Sequence, residues 1–386
     1  MQSYEVVVVG SGPAGAMAAY TLASEDINVA IIEKESLPRY KTCGGGLTNR
    51  AINYLPVDVQ QSVEKAFYKV DSNFLKDDLS FTALKEKPII NMVMRDTFDH
   101  DLVQKAVSKG ATLIDDCKLE NLTYANGGST LETSKGSIEC KMIIAADGVL
   151  STTARLGGWE ETRYLIPALE YEVEVTSEDY IRLSSSVRFD FDAMPQGYGW
   201  CFPKRNHLSI GIASFRKSKG NLKELYRKYM IEVLKLENPI SEEMHGFQIP
   251  LSPRTDGFCR QGIFLTGDAA GLADPITAEG LANAILSGQL AAQSIIDGKL
   301  DMQQAQNLYE QRLNNGLIKE LKTAQKLANF IYGDSKLRAY FLYNHGQRVN
   351  DVMVSIVMGE RDYPLNLTKA LANKAWRKLN SFSRSS

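Results

Sequence analysis

The run Val6-Val7-Val8-Val9, leading straight into Gly10-Ser11-Gly12-Pro13-Ala14-Gly15, limits what this chain can fold into more than any other stretch. Four consecutive valines read as a strand buried on both faces, and helix formers from Pro13 to Ala23 follow after only a glycine-rich turn. Strand pattern resumes at Val29-Ala30-Ile31-Ile32, so residues 4–33 spell a right-handed βαβ unit. Each glycine then has its own duty: Gly10 makes the tight turn, Gly12 admits a pyrophosphate to the backbone, and Gly15 lets the helix lie close on the strand. Pro13 and Ala14 open a helix whose free N–H groups and positive dipole end face the phosphates. Glu33 ends the second strand about 20 residues beyond the glycines, where a carboxylate accepts from ribose hydroxyls and disfavours a 2′-phosphate. Lys34 beside it is assigned to the same site.

At 386 residues the chain exceeds one compact core, and two interleaved domains with an extension are expected. A Gly-, Pro- and cation-rich loop spans Pro38 to Gly46, and strand-like patches run from Leu79 to Met94. A helix from Asp96 to Ser108 is expected to be capped by Asp96 or Thr97 and stopped by Gly110. Residues 111–146 read as a β-meander turning at Asn126-Gly127-Gly128, 165–215 as mostly strand, and 220–236 as an amphipathic helix. Ile263 to Thr266 is one more buried strand, and a small-residue helix runs from about Glu279 to Asp297. The expected fold is α/β with an α+β second domain. A discontinuous Rossmann-type dinucleotide domain (1–55, 94–158 and 262–300) is interleaved with a mainly antiparallel-sheet substrate domain (56–93 and 159–261), and a helical C-terminal region covers 301–386.

Composition excludes some partners. With 44 basic and 46 acidic residues there is no global field to collect nucleic acid. The five cysteines are scattered without a Cys-x-x-Cys pair, which suits a reducing compartment and a cytoplasmic location. No apolar run reaches the roughly 18–20 residues of a spanning helix, so any membrane contact is expected to be peripheral. The four histidines show no metal-ligand spacing and no Ser/His/Asp context; neither a metal nor a hydrolytic site is expected. Residues 364–386 carry five cations and no acid, with Leu371, Ala375, Leu379 and Phe382 on a helical spacing. This fits an interfacial helix on anionic lipid, and nearly as well a solvated helix packed on the domain.

Two further segments select the dinucleotide. Ala146-Asp147-Gly148-Val149-Leu150-Ser151 with Arg155 beyond, and Gly267-Asp268-Ala269-Ala270, resemble motifs of the FAD-dependent hydroxylase and reductase superfamily built like p-hydroxybenzoate hydroxylase. The resemblance covers roughly residues 4–50, 90–158 and 260–298. It implies FAD, with Asp147 and Gly148 in the Asp-Gly motif, Asp268 after Gly267 on the ribityl chain, and a helix beginning near Gly280 and Leu281 aimed at the isoalloxazine. Such a helix end stabilises the negative charge of the reduced ring. No second Gly-x-Gly-x-x-Gly occurs, so electrons are expected from transiently docked NAD(P)H or from a reduced protein such as ferredoxin.

Within that superfamily, Pro38-Arg39-Tyr40-Lys41-Thr42-Cys43-Gly44-Gly45-Gly46-Leu47 is similar to the Cys-Gly-Gly loop of the geranylgeranyl reductase family. Tyr198-Gly199-Trp200-Cys201-Phe202-Pro203-Lys204 followed by Gly211 is similar to that family's aromatic strand, with Ala213 replacing its last glycine. Arg95-Asp96-Thr97-Phe98-Asp99 matches its Arg-x-x-Phe-Asp element. The resemblance implies that Cys43, Gly44 and Gly45 lie beside the flavin, that Arg39 or Lys41 offsets nearby charge, and that Arg95 reaches the cofactor. Tyr198, Trp200 and Phe202 alternate onto one face of a strand and, with Pro203, would wall an isoprenoid. The implied reaction saturates prenyl double bonds of a prenyl lipid or prenyl diphosphate by hydride transfer from reduced FAD. Cys43, Tyr198 and Trp200 are the catalytic candidates, and Cys43, Tyr198 or a water the proton sources. Plainer readings stand beside these: Cys43 as a small buried filler and the aromatic strand as core. Two other functions remain open, a FAD monooxygenase or halogenase of the same fold and a non-catalytic electron-transfer protein.

Overall fold

The computed structural model describes residues 2–125, 127–215, 220–333 and 335–363. The valine run lies at the centre of an eight-stranded sheet. Strand Gln2–Val9 pairs in parallel with Gly136–Ala145 on one side and Val29–Ile32 on the other, and Val6 to Val9 are buried. Ile263–Leu265 extends the sheet in parallel beyond Gly136–Ala145. At the other edge Thr112–Ile114 pairs in parallel with Val29–Ile32, which corrects the expected meander. Its first strand crosses over to the parallel sheet, and only Leu119–Ala125, Gly128–Thr133 and Gly136–Ala145 form the antiparallel ladder. The helices Pro13–Ala23 and Leu281–Asp297 cover one face so closely that a Cβ at Gly288 would strike the Ala14 backbone.

Helix Arg95–Ser108 begins one residue earlier than expected. Its N-cap is Met94, with no side-chain cap; Asp96 instead accepts from the Thr97 N–H at 2.6 Å, and Phe98 is buried. The expected caps fail because Asp96 already lies inside the first turn.

The second sheet has seven strands, in the order Ser241–Pro250, Leu165–Glu174, Leu208–Ser214, Gly197–Pro203, Val187–Phe191, Lys69–Phe74 and Leu79–Leu84. All its pairs are antiparallel except Val187–Phe191 with Lys69–Phe74. Its outer face packs Leu169, Tyr171, Val173 and Ile210 against Tyr226 and Tyr229. Those tyrosines come from helix Leu222–Lys228 and the π turn Tyr229–Val233 that continues it. The inner face looks toward the dinucleotide sheet.

A three-stranded sheet (Gly46–Thr48, Ile90–Val93, Val63–Phe67) bridges the two larger ones. Helices Met302–Asn315, Leu317–Ile331 and Ser335–Val357 follow. The last is fastened to the second sheet by Arg338, a buried guanidinium whose Nη2 lies 2.8 Å from Asp77 and 2.6 Å from Asp192. The basic segment 364–386 lies outside the described residues.

Candidate flavin and substrate site

One cavity of about 970 Å³ runs from the glycine turn to the C-terminal helices. At its polar end helix Pro13–Ala23 starts without a side-chain cap or an acidic residue in its first turn. A Cβ at Gly12 would meet nothing closer than Arg95 at 4.0 Å, whereas one at Gly10 would press on the Ala146 backbone. Free N–H groups facing an open cradle are what a pyrophosphate requires. Glu33 closes the turn, accepting from Ser11 N at 3.0 Å and Ser11 Oγ at 2.5 Å. A charged rim then crosses the cavity. Arg39 lies 3.5 Å from Glu33 and 3.2 Å from Asp99, and Asp99 takes Arg95 through bonds of 2.7 and 2.8 Å.

The two motifs that selected FAD meet here. Asp147 accepts from Ser151 Oγ and from Thr153 N and Oγ1, bonds that pull its carboxyl down while burial pushes it up. Arg163, buried, staples the motifs together by donating to Val149 O at 2.7 Å and Asp268 O at 2.5 Å. Burial also raises the Asp268 carboxyl, with Lys41 and Arg95 opposing. Gly267, Asp268, Gly280 and Leu281 all line the cavity.

The Cys43 loop lies on the inner face of the seven-stranded sheet. Tyr40 stacks on His245 at 4.2 Å, and the Lys41 ammonium sits 3.8 Å from the Phe247 ring centre. Lys204 is fully buried and donates to Gly44 O at 2.7 Å and Val93 O at 2.9 Å. Gly45 has φ +66° and leaves the space that the Lys204 ammonium fills. The Cys43 thiol is half-buried and accepts from Gly45 N at 3.4 Å.

Opposite the loop stand Tyr198, Trp200 and Phe202, on one face as alternation requires. A Cβ at Gly211 would collide with the Trp200 ring, so this glycine is what lets the indole lie flat on the sheet. The Trp200 Nε1–H is buried with no hydrogen-bond partner among the described residues. Tyr198 donates its hydroxyl proton to Thr277 O at 2.7 Å, and burial raises its pKa. Beyond the wall the cavity turns apolar between Phe74, Phe81 and Phe191 on the sheet and Phe330, Phe341 and Val349 on the helices.

Most of the residues singled out from sequence line this one cavity: Gly10, Gly12, Pro13, Ala14, Glu33, Lys34, Arg39, Cys43, Gly44, Gly45, Arg95, Asp147 and Gly148 among them. Gly15 and Pro203 do not. Gly15 packs under the Gly10 carbonyl, and Pro203, odd against Tyr198, Trp200 and Phe202 in the alternation, turns to the other face. Lys34 sits at the rim with its exposed ammonium 3.5 Å from Glu35.

Sequence reading missed Arg163, Asp99 as a bridge between two arginines, and Glu170. Glu170 is a buried cavity-lining carboxyl on strand Leu165–Glu174, with Oε1 accepting from Ser209 Oγ at 2.5 Å. Burial first and Glu172 second push its pKa up to about 7, against Ser209, Lys204 and the nearby Cys43 N–H. The alternating acids Glu170, Glu172 and Glu174 in the strand-like stretch Leu165–Glu174 were the available signal.

The cradle, the uncapped helix and the stapled Asp motifs define a flavoprotein that holds FAD. The chain belongs to the family of the FAD binding domain, whose model matches residues 3–206. It is 33% identical over 87% of its length to an uncharacterised protein of Methanosarcina barkeri, of which 86% is covered. It is 28% identical over 76% of its length to digeranylgeranylglycerophospholipid reductase 1 of Methanopyrus kandleri, with 80% of that protein covered. Among solved structures, a geranylgeranyl bacteriochlorophyll reductase-like protein of Thermoplasma acidophilum superposes with TM-score 0.76 at 25% identity, over 93% of this chain and 92% of that one. A flavin-dependent brominase shares the fold alone, with TM-score 0.73 at 20% identity over the full length of both chains. The chain is thus a FAD-dependent oxidoreductase of geranylgeranyl-reductase type in fold and kinship.

Proposed function

We propose that the protein reduces carbon–carbon double bonds in the prenyl chain of a lipid or diphosphate. The observation that carries this reading is the placement of Tyr198, Trp200 and Phe202 opposite the Cys43–Gly46 loop, in a cavity that continues as an aromatic and aliphatic channel. Bound FAD, once reduced by NAD(P)H or a protein donor, supplies a hydride. The chain's own residues do the rest. Gly10, Gly12 and the N-terminus of helix Pro13–Ala23 receive the pyrophosphate, Glu33 the ribose and Asp268 the ribityl chain, while Asp147 holds the Asp-Gly turn in place through Ser151 and Thr153. An isolated alkene offers no carbonyl to spread developing charge, so rate comes from holding reactants at about 3–3.5 Å in a dry pocket. The aromatic wall provides that alignment and excludes water. Residues 1–55, 94–158 and 262–300 serve as the cofactor portion in this scheme, 56–93 and 159–261 as the substrate portion.

Relatives named for reduction of geranylgeranyl lipids and of geranylgeranyl diphosphate support the substrate class. A halogenase reading gains nothing from Lys204, whose ammonium is committed to two backbone carbonyls. A purely electron-transferring protein would have no use for so long an apolar channel. No helix of the described residues is long and apolar enough to cross a membrane. The test is anaerobic incubation of the FAD-loaded, dithionite-reduced protein with geranylgeranyl diphosphate and a prenylated glycerolipid, followed by mass spectrometry. Gains of about 2 Da per bond, absent without FAD, support the reading. No gain with either class, alongside oxygen and NADPH consumption with an aromatic substrate, overturns it.

A further inference from the structure

Saturating an alkene by hydride needs one proton per bond, and two nearby donors, Tyr198 in the cavity wall and Lys204 behind the Cys43 loop, are engaged. Tyr198 gives its proton to Thr277 O, and Lys204 gives two of its protons to Gly44 O and Val93 O. Glu170 is different. It lines the cavity, its Oε1 is bound by Ser209, and its Oε2 is buried with no hydrogen-bond partner among the described residues. A buried carboxylate oxygen without a donor is costly, whereas a carboxylic acid needs none there.

Glu170 also has a way out to solvent. Glu172 follows it on the same face of the strand, and His207 Nε2 lies 3.0 Å from Glu172 Oε2. The other His207 nitrogen is 3.0 Å from Asn206 Oδ1 at the exposed end of the turn. Surface, imidazole, carboxyl and cavity thus follow one another along one face of a single sheet.

We propose that Glu170 is the cavity's proton store and that Glu172 and His207 refill it from solvent. This inference rests on the prenyl-reduction reading. In each turnover the hydride brings two electrons and one hydrogen to one alkene carbon. The carboxyl O–H of Glu170 breaks and its proton ends, through the cavity beside Cys43, on the other carbon. The resulting carboxylate takes a proton through Glu172, and His207 takes one from water.

The groups facing Glu170 fix how this depends on pH. Its own strand contributes Glu172, a like charge that favours the protonated form, and the neighbouring turn contributes Lys204, which favours the carboxylate. On the other side His245 stands directly across from Glu170 in register and Glu243 across from Glu172. Tyr40 and Cys43 close the top, and burial first, then Glu170 and Glu172, hold the Tyr40 hydroxyl protonated. Burial together with Glu172 outweighs Ser209, Lys204 and the Cys43 N–H, so the store is full in mildly acidic solution, about half full near pH 7, and empties in mildly alkaline solution.

Two measurements on the full-length holoenzyme test this. Infrared titration of the oxidised, substrate-free protein, compared with E170Q, should show a protonated carboxyl band that disappears with a midpoint near neutrality and is missing from the variant. Absence of such a band in the native protein overturns the proposal whatever the substrate. Single-turnover reduction of a prenyl substrate in E170Q should slow by about 10²-fold and lose its fall at alkaline pH, with FAD content unchanged. A native rate and pH profile in E170Q overturns the proposal, as does a loss of FAD or folding that leaves the profile in place. If the band titrates but native protein reduces no prenyl substrate, the prenyl reading is what fails, and the proposed use of the proton falls with it.

Discussion

Replacing Lys204 by methionine tests whether the sheet holds the Cys43 loop through one buried ammonium. Methionine has nearly the same length and no charge, so packing is kept and the two bonds of 2.7 and 2.9 Å to Gly44 O and Val93 O are lost. Each carbonyl left buried without a donor costs about 1–3 kcal/mol. Relief from burying an ammonium works the other way, since an apolar replacement of a buried charge is often neutral or better. The carbonyls win here because Lys204 is fully buried and Gly45 is shaped around it, which leaves no obvious room for water to serve them. A net local loss of about 2–4 kcal/mol is expected. Hydrogen exchange reads it directly at the Val93 amide, which donates to Gly45 O at 2.9 Å. Exchange there should accelerate roughly 30- to 1000-fold if local opening governs it. FAD affinity should fall as well, with Glu170 deprived of the Lys204 counter-charge and its pKa driven higher. Unchanged exchange at Val93 together with unchanged FAD binding would refute the reasoning.

Other expectations follow from the same geometry. Gly211→Ala sets a methyl group against the Trp200 ring; a stability loss of about 1–3 kcal/mol and altered Trp fluorescence are expected by chemical denaturation, and native values would show that the ring tolerates the methyl. Arg338→Met leaves Asp77 buried without its cation and Asp192 with only Lys76 at 3.9 Å, and should cost about 3–5 kcal/mol in the same assay, whereas a loss below 1 kcal/mol would mean that the clasp is solvated. Glu170 and Glu279 both rise from 4.5 to about 7, chiefly by burial. Because the folded chain holds these protons more tightly, their stabilisation is complete below about pH 4.5 and is lost as pH rises through about 7. Unfolding free energy of the FAD-free protein should therefore fall between pH 5 and 8, by at most about 3 kcal/mol per group, and the Glu170→Gln and Glu279→Gln variants should flatten that slope. A slope that both variants leave intact would assign it elsewhere.

The cofactor half was legible because its requirements are local. Gly10, Gly12 and Gly15 answer to turn and helix geometry within six residues, and Asp147 and Asp268 announce themselves by a neighbouring glycine. The aromatic wall was legible for the same reason, as alternation alone puts Tyr198, Trp200 and Phe202 together. Glu170, Arg163 and Lys204 were not. Their roles depend on cross-strand register and on loops up to 160 residues away, as between Lys204 and Gly44. Thr112–Ile114 was misassigned because a three-residue strand carries no period that separates parallel from antiparallel pairing. The Asp96 cap failed for a related reason, since helix ends inferred from residue type are uncertain by a residue or two.

The strand order of the first sheet has a consequence for how the protein is made. Ser3 pairs with Glu139, and Ile143 pairs with Ile263, so the cofactor sheet draws its strands from both sides of the seven-stranded one. No contiguous fragment contains either sheet without part of the other, and neither half can be excised by cutting the chain at one place. A ribosome must deliver more than 260 residues before strand Gly136–Ala145 can gain its outer parallel neighbour, Ile263–Leu265. Such long-range closure makes folding slow and leaves the outer edge of Gly136–Ala145, not the valine strand, uncovered in the meantime, a stage at which an unpaired buried strand is open to misassembly.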